Sequence, residues 1–228
     1  MPSLAPLLRD LNYDFTDQRL LRRALTHRSH SSDHNERLEF LGDSVLNFVV
    51  AALLHDAFPD MNEGDLSRLR ANLVKQSALA QIAGKLALSK YLRLGEGERK
   101  SGGSKRPSIL ADALEAVFGA VYKDGGFSAA YRVVSHQYQP ILANLDPHTL
   151  GKDAKTQLQE FLQARRLSLP IYEVTDTHGA AHNQSFDVAC RIPALDIVTT
   201  ASGSSRRAAE QGAAQKALQD IAGNKDVS

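Results

Sequence analysis

The feature that most constrains the fold of this chain is the run from Asn35 to Ala57, an apolar stretch that nevertheless carries three acids. Glu36, Glu39 and Asp43 stand at i, i+3 and i+7, which on an α-helix gathers them into a sector of roughly 60°. The same stripe continues into Leu46 and Val50, and Leu38, Leu41, Val45, Phe48 and Val49 make most of the remaining circumference apolar. A helix apolar almost all round is a buried one. Like charges at these spacings repel by about 0.2–0.5 kcal/mol per pair, so acids on such a helix need either solvent or counter-charge. Two readings stand on spacing alone: a partly exposed rim, or oxygen ligands for a hard divalent cation.

A second run repeats the oddity. Ile109 to Asp124 reads as a helix, with Ser108 as the expected N-cap, and it carries Asp112 and Glu115 among Leu110, Leu114, Val117, Phe118 and Val121. Packing the two runs face to face would converge four carboxylates: Glu39, Asp43, Asp112 and Glu115. Around these, leucine spacing over residues 4–26 predicts two short helices. His27, His30 and His34 follow in a polar loop, with no cysteine nearby and no zinc-finger spacing. Pro59 ends the first acid-bearing helix. A turn then leads into another helix near Glu63, where an acid is favourable for the helix dipole alone. Gly95 to Ser108 is a glycine-rich basic loop but not a P-loop, since no lysine follows Gly102 directly. Its Arg99, Lys100, Lys105 and Arg106 either grip a polyanion or sit in solvent. A helix over about 127–145 closes this part, and Asn144 to Gly151 reads as a linker.

The remainder changes character. Asp153 to Arg166 is helical, with Leu158, Phe161, Leu162 and Arg165 on one face and Lys155, Gln159, Gln163 and Arg166 on the other. Three strand-like runs follow, at 169–176, 185–192 and 195–200. The middle one alternates, with Phe186, Val188, Cys190 and Ile192 on one side and Asp187 and Arg191 on the other, which makes Cys190 a small core residue. A last helix begins near Ser205 with Arg206 and Arg207 in its first turn. Cations there oppose the helix dipole; either an anion binds them or they are solvated.

Composition sets limits. Hydrophobic residues at 43% and charged residues at 23% are ordinary for a globular chain. Residues 151–228 carry nine Lys+Arg and nine Asp+Glu, leaving 18 and 17 of the totals of 27 and 26 to residues 1–150. No bulk basic balance announces nucleic acid, so any such function must rest on where the charges sit. The single cysteine, Cys190, excludes an intrachain disulfide and fits a reducing compartment. The N-terminal residues do not have the form of a signal peptide, and the most apolar run, Val45 to Leu54, is too short to span a bilayer. A cytoplasmic location is expected.

The stretch Asn35-Glu-Arg-Leu-Glu-Phe-Leu-Gly-Asp-Ser44 resembles the signature of ribonuclease III, the bacterial double-stranded-RNA endonuclease. Ser108-Ile-Leu-Ala-Asp-Ala-Leu-Glu-Ala116 is similar to its second block. The later half resembles a double-stranded-RNA-binding domain, through Lys155-Thr156-x-Leu158-Gln159-Glu160, the loop Gly179 to Gln184, and Gly203-Ser-Ser-Arg-Arg-Ala-Ala-Glu-Gln-Gly-Ala-Ala214. That family usually has lysines where Arg206 and Arg207 stand; arginine keeps the charge and the phosphate geometry.

The resemblance, which runs the length of the chain, implies an all-α N-terminal endonuclease domain (1–145), a linker (146–152), a small α+β domain of α-β-β-β-α order (153–223) and a disordered tail (224–228). It further implies magnesium-dependent hydrolysis of both strands of duplex RNA, with manganese as a substitute, leaving 5′-phosphate and 3′-hydroxyl ends with short 3′ overhangs. Precursor ribosomal, messenger and transfer RNA are the expected substrates, and a homodimer the expected assembly, with no membrane and no small-molecule cofactor. Carried over by residue, Glu39, Asp112 and Glu115 are metal ligands, Asp43 and Glu115 catalytic, and Glu36 and Glu63 auxiliary. Gln159, Gln163, His182, Arg206 and Arg207 meet the RNA. Taken alone Phe40 reads as a core residue; the resemblance places it in the dimer interface. An RNA-binding regulator with an inert nuclease fold is the first alternative, against which the intact acids argue. A hydrolase of small phosphates is the second, against which the RNA-binding half argues.

Overall fold

Two long apolar helices crossing at close range organise the first half of the chain. A computed structural model describes residues 2–145, 154–179 and 184–223, and the chain divides into two units, residues 1–151 and 152–228. The expected linker, the expected tail and His182 lie outside the described residues. The first unit contains α1 (Ala5–Leu11), α2 (Gln18–Ala24), α3 (Glu36–Ala57), α4 (Glu63–Val74), α5 (Gln76–Lys85), α6 (Glu96–Lys100) and α7 (Pro107–Leu142).

The apolar circumference of α3 is buried at Leu38, Val45, Leu46, Val49, Val50 and Leu54, against Leu110, Leu114, Val117, Phe118 and Val121 of α7. Each large side chain so buried contributes about 1.5–3 kcal/mol. By length and composition α3 as a whole is long and apolar enough to cross a membrane, although its most apolar run alone is not. Its apolar side chains are instead taken up by this core, and its acids lie along one edge.

What lets the two helices approach is the absence of side chains at two positions. A Cβ on Gly42 would overlap the carbonyl oxygen of Glu115, and one on Gly119 would overlap that of Leu38. The helix begins at Pro107 with Arg106 as its N-cap, in place of the expected Ser108; proline's fixed φ suits the first helical position and needs no N–H there. At Gly126 the backbone turns to φ 73°, ψ −174°, which breaks α7 into two helical segments. Just before that break Asp124 accepts from Tyr13 Oη (2.7 Å) and from the main-chain N–H groups of Thr16 (2.8 Å) and Asp17 (2.8 Å). These charge-assisted bonds tie the N-terminal helices to α7.

The glycine-rich stretch is more ordered than a plain loop: it contains α6 and a 3₁₀ turn over Gly103–Lys105. Two of its four cations pair with its own acids, Lys100 with Glu96 and Arg106 with Glu98, both at 2.7 Å.

The second unit runs α8 (Ala154–Ala164), β1 (Ile171–His178), β2 (Ser185–Ile192), β3 (Ile197–Gly203) and α9 (Arg206–Gly223). The strands form an antiparallel meander, with Val174 opposite Val188 and Cys190 opposite Thr199, and a bulge between Val174 and Asp176. A 3₁₀ turn over Pro193–Leu195 and a left-handed Asp196 (φ 53°) occupy the place where the third strand was expected to begin. Both helices cover one face of the sheet: Leu158 and Leu162 of α8 and Ala213, Ala214, Ala217 and Ile221 of α9 enclose Cys190, Ile192 and Ile197. The alanines of α9 let it lie close to the sheet, and Thr199 Oγ1 donates to the Ala213 carbonyl at 2.7 Å.

Candidate active site and duplex-binding surface

The glycine contact brings the acids of α3 and α7 together. Glu39, Asp112 and Glu115 each present a carboxylate oxygen, all within 4.8 Å of one another, and all three side chains are half-buried. This is the sole grouping of its kind among the described residues. Burial, and then the charges of Asp43, Glu39 and Asp112, push Glu115 up to about 8. Burial also raises Glu39, assisted by Asp112 and Glu36. Asp112 is raised by burial too, although His27 and Arg28 pull the other way. Hard oxygen donors, converging from two rigid helices and short of counter-charge, fit a divalent cation.

Asp43 is exposed and its carboxylate stands outside the oxygen triangle, yet close enough to act on Glu115. Asn47, one turn on, donates from Nδ2 to Asp43 Oδ1 (2.8 Å) and to the Asp43 carbonyl (3.0 Å). In the sequence Asn47 is only a polar interruption of an apolar run, and only the i,i+4 relation to an acid hints at this pairing.

Glu36 lies on the rim of the site, paired with Arg28 at 3.2 Å. Together with Glu39 and Asp112 it lines a cleft of ≈ 580 Å³ whose other wall includes His27, Arg28 and Arg106. Glu63 is not in the carboxylate cluster. It begins α4, accepts from Ser67 Oγ (2.7 Å), and borders a mainly apolar cleft with Phe48, Leu66 and Arg70. Phe40 is 79% exposed, which corrects its reading, taken alone, as a core residue: it stands off both the acid stripe and the buried side of α3. Phe48 is 60% exposed and meets Phe127 edge to face at 5.3 Å.

In the second unit Gln159 and Gln163 are exposed on α8, and Arg206 and Arg207 are exposed in the first turn of α9. Ser205 Oγ accepts from the Ala208 N–H at 3.2 Å, so the helix starts where expected. Lys155 departs from this pattern. Although it shares the face of Gln159, it is half-buried and donates to Glu210 at 2.6 Å. The cause is Glu210, a carboxylate buried between α8 and α9 that needs a cation. Glu210 lies within the motif stretch Gly203 to Ala214, but nothing there marks its burial, since an acid on an alanine-rich helix gives no periodic signal.

Known proteins agree with this layout. Residues 17–142 match the Ribonuclease-III-like family, and residues 154–221 the Double-stranded RNA binding motif. The chain is 67% identical to Ribonuclease 3 of Bordetella avium over 217 residues, 95% of this chain and 86% of that protein. It is 62% identical to Ribonuclease 3 of Ralstonia pickettii over 218 residues, 96% of this chain and 85% of that one. A crystal structure of the nuclease domain of ribonuclease III from Campylobacter jejuni superposes with a TM-score of 0.61 at 42% identity, covering 64% of this chain and 100% of that domain. With both halves matched in order, and most residues shared with named ribonucleases over nearly the whole length, the chain belongs to the ribonuclease III family of double-stranded-RNA endoribonucleases.

Proposed function

We propose that Glu39, Asp112 and Glu115 hold magnesium, with manganese as a substitute, and that this site hydrolyses phosphodiester bonds in duplex RNA. The observation that carries the reading is the meeting of their three carboxylate oxygens within 4.8 Å. Held by Glu39, Asp112 and Glu115, a divalent ion would supply Lewis-acid polarisation of the phosphoryl oxygens, a more acidic water and stabilisation of the leaving 3′-oxygen. Asp43, steadied by Asn47, accepts a hydrogen bond from the attacking water and orients it. Glu36 plays an auxiliary part at the rim, and Glu63 an auxiliary part from the start of α4, beside a separate cleft. Cleavage of this kind leaves 5′-phosphate and 3′-hydroxyl ends.

Gln159 and Gln163, one turn apart, offer amides to the 2′-hydroxyls of a shallow minor groove, and Arg206 and Arg207 meet phosphates. Such contacts read duplex shape more than sequence. Domain limits of 1–145 and 153–223 fit this division of labour.

One site per chain cuts one strand, so two copies facing a duplex cut both and leave short 3′ overhangs. The support for a homodimer is the exposure of Phe40 and Phe48 on one helix. A Campylobacter jejuni nuclease domain, 43% identical with a TM-score of 0.59, is described in terms of flexibility in a region involved in dimer formation. Processing of precursor ribosomal, messenger and transfer RNA in the cytoplasm is the setting proposed.

The test is incubation of long duplex RNA with the protein, with and without magnesium, beside Asp43→Asn and Glu115→Gln. Cleavage should require the metal and both acids, whereas duplex binding without metal should survive in both variants. Cleavage that persists in Glu115→Gln would overturn the assignment.

A further inference from the structure

The second unit holds a charged triad that the cleavage chemistry does not use. Glu210, on α9, has a side chain only 11% exposed. Its two oxygens take different partners: Oε2 accepts from Lys155 Nζ at 2.6 Å, and Oε1 from Arg206 Nε at 2.9 Å. Lys155 comes from the first turn of α8 and is fixed further by the Tyr172 ring, 4.4 Å from its Nζ. Its main-chain N–H also donates to Gln211 Oε1 at 3.2 Å. Arg206 is different: although its Nε is engaged, its side chain is 65% exposed.

We propose that Glu210 is a positioning residue for duplex RNA, with Lys155 as its counter-charge, holding the Arg206 guanidinium ready for a backbone phosphate. The inference rests on the reading above that Arg206 meets RNA. Lys155 neutralises the carboxylate, so two cations and one anion leave the triad at +1 and Arg206 keeps its attraction for a phosphate. Fixing a guanidinium through Nε lowers the conformational freedom it loses on binding, and its flat fork suits phosphate oxygens. A bridge serving stability alone needs only Lys155 and Glu210, because a pair to an exposed arginine adds little to stability.

The test uses the full chain and a long perfect RNA duplex in metal-free buffer, with affinity measured across salt concentrations. Glu210→Gln should weaken binding by roughly 3–10-fold, the range for immobilising one long side chain. It should also lower the slope of log affinity against log salt by about 1. With magnesium present, KM should rise while kcat stays at the native value. Arg206→Ala and the double variant Arg206→Ala/Glu210→Gln should bind alike, because Glu210 acts through Arg206. Glu210→Asp, which keeps its charge near Lys155 but draws back from Arg206, should hold the melting temperature and still lose affinity.

Simple removal of a negative charge predicts the opposite sign, so native or tighter binding by a folded Glu210→Gln overturns the proposal. Loss that adds in full to that of Arg206→Ala does so too, since it marks a structural role. An Arg206→Ala variant that binds normally would instead bring down the underlying reading of Arg206.

Discussion

Asn47 Nδ2 lies 2.8 Å from Asp43 Oδ1, so this exposed acid beside the carboxylate triangle is tethered from its own helix. Asn47→Ala frees that carboxylate to rotate. A hydrogen bond to a charged group is worth about 1.5–3 kcal/mol, so single-turnover cleavage should slow by about 10-fold or more, with duplex affinity unchanged. A native cleavage rate in this variant would remove Asn47 from the site.

Gly42→Ala places a methyl group where the Glu115 carbonyl oxygen lies. Overpacking of this kind costs about 1–3 kcal/mol, and here it also pushes Glu39 and Asp43 away from Asp112 and Glu115. Thermal melts should show a lower Tm, and cleavage should fall far more than duplex binding. Gly97→Ala, in open space on α6, is the matched control and should change neither.

Stability without metal should depend on pH in a direction set by Glu115. Burial and neighbouring carboxylates lift it from 4.5 to about 8. Between those values the folded chain holds a proton that the unfolded chain has lost, so stability falls as pH rises through that window. Glu39 and Asp112, raised as well, add the same sign. Glu115→Gln should show a shallower fall of Tm with pH, and saturating magnesium, which binds the ionised acids, should flatten the native curve. Identical slopes for the variant and the native chain would contradict the assignment.

Phe40→Asp should leave the melting temperature of a dilute sample nearly unchanged, because the ring is 79% exposed within one chain. Sedimentation should then report a monomer, and duplex RNA should be nicked rather than cut through. A persistent dimer would move the interface elsewhere.

Much of this was legible in the sequence because it is written in periods. Acids at i, i+3 and i+7 on an apolar helix, and a second pair on another, left a shared pocket as one of two readings, the other being a solvated rim, and alternation over 185–192 foretold the burial of Cys190. What periodicity could not show was the distance between elements. Gly42 is one letter in a signature, and its contact with Gly119 becomes visible only when both helices are in place. Lys155 reads by helical position only as part of the polar face of α8, and only the packing of α9 reveals the buried carboxylate that captures it. Arg106 displaced Ser108 as the N-cap because Pro107 decides where a helix can begin.

The pocket is made of two halves supplied at different times. During synthesis α3 emerges well before α7 has been polymerised, and alone it supplies only Glu39 of the three converging carboxylates. The glycine crossing forms only when residues 107–119 can dock against it. On the proposed assignment, a chain cut short before Glu115 lacks one of the three converging carboxylates and should not cleave duplex RNA. On that assignment, cutting waits on the closure of the first unit.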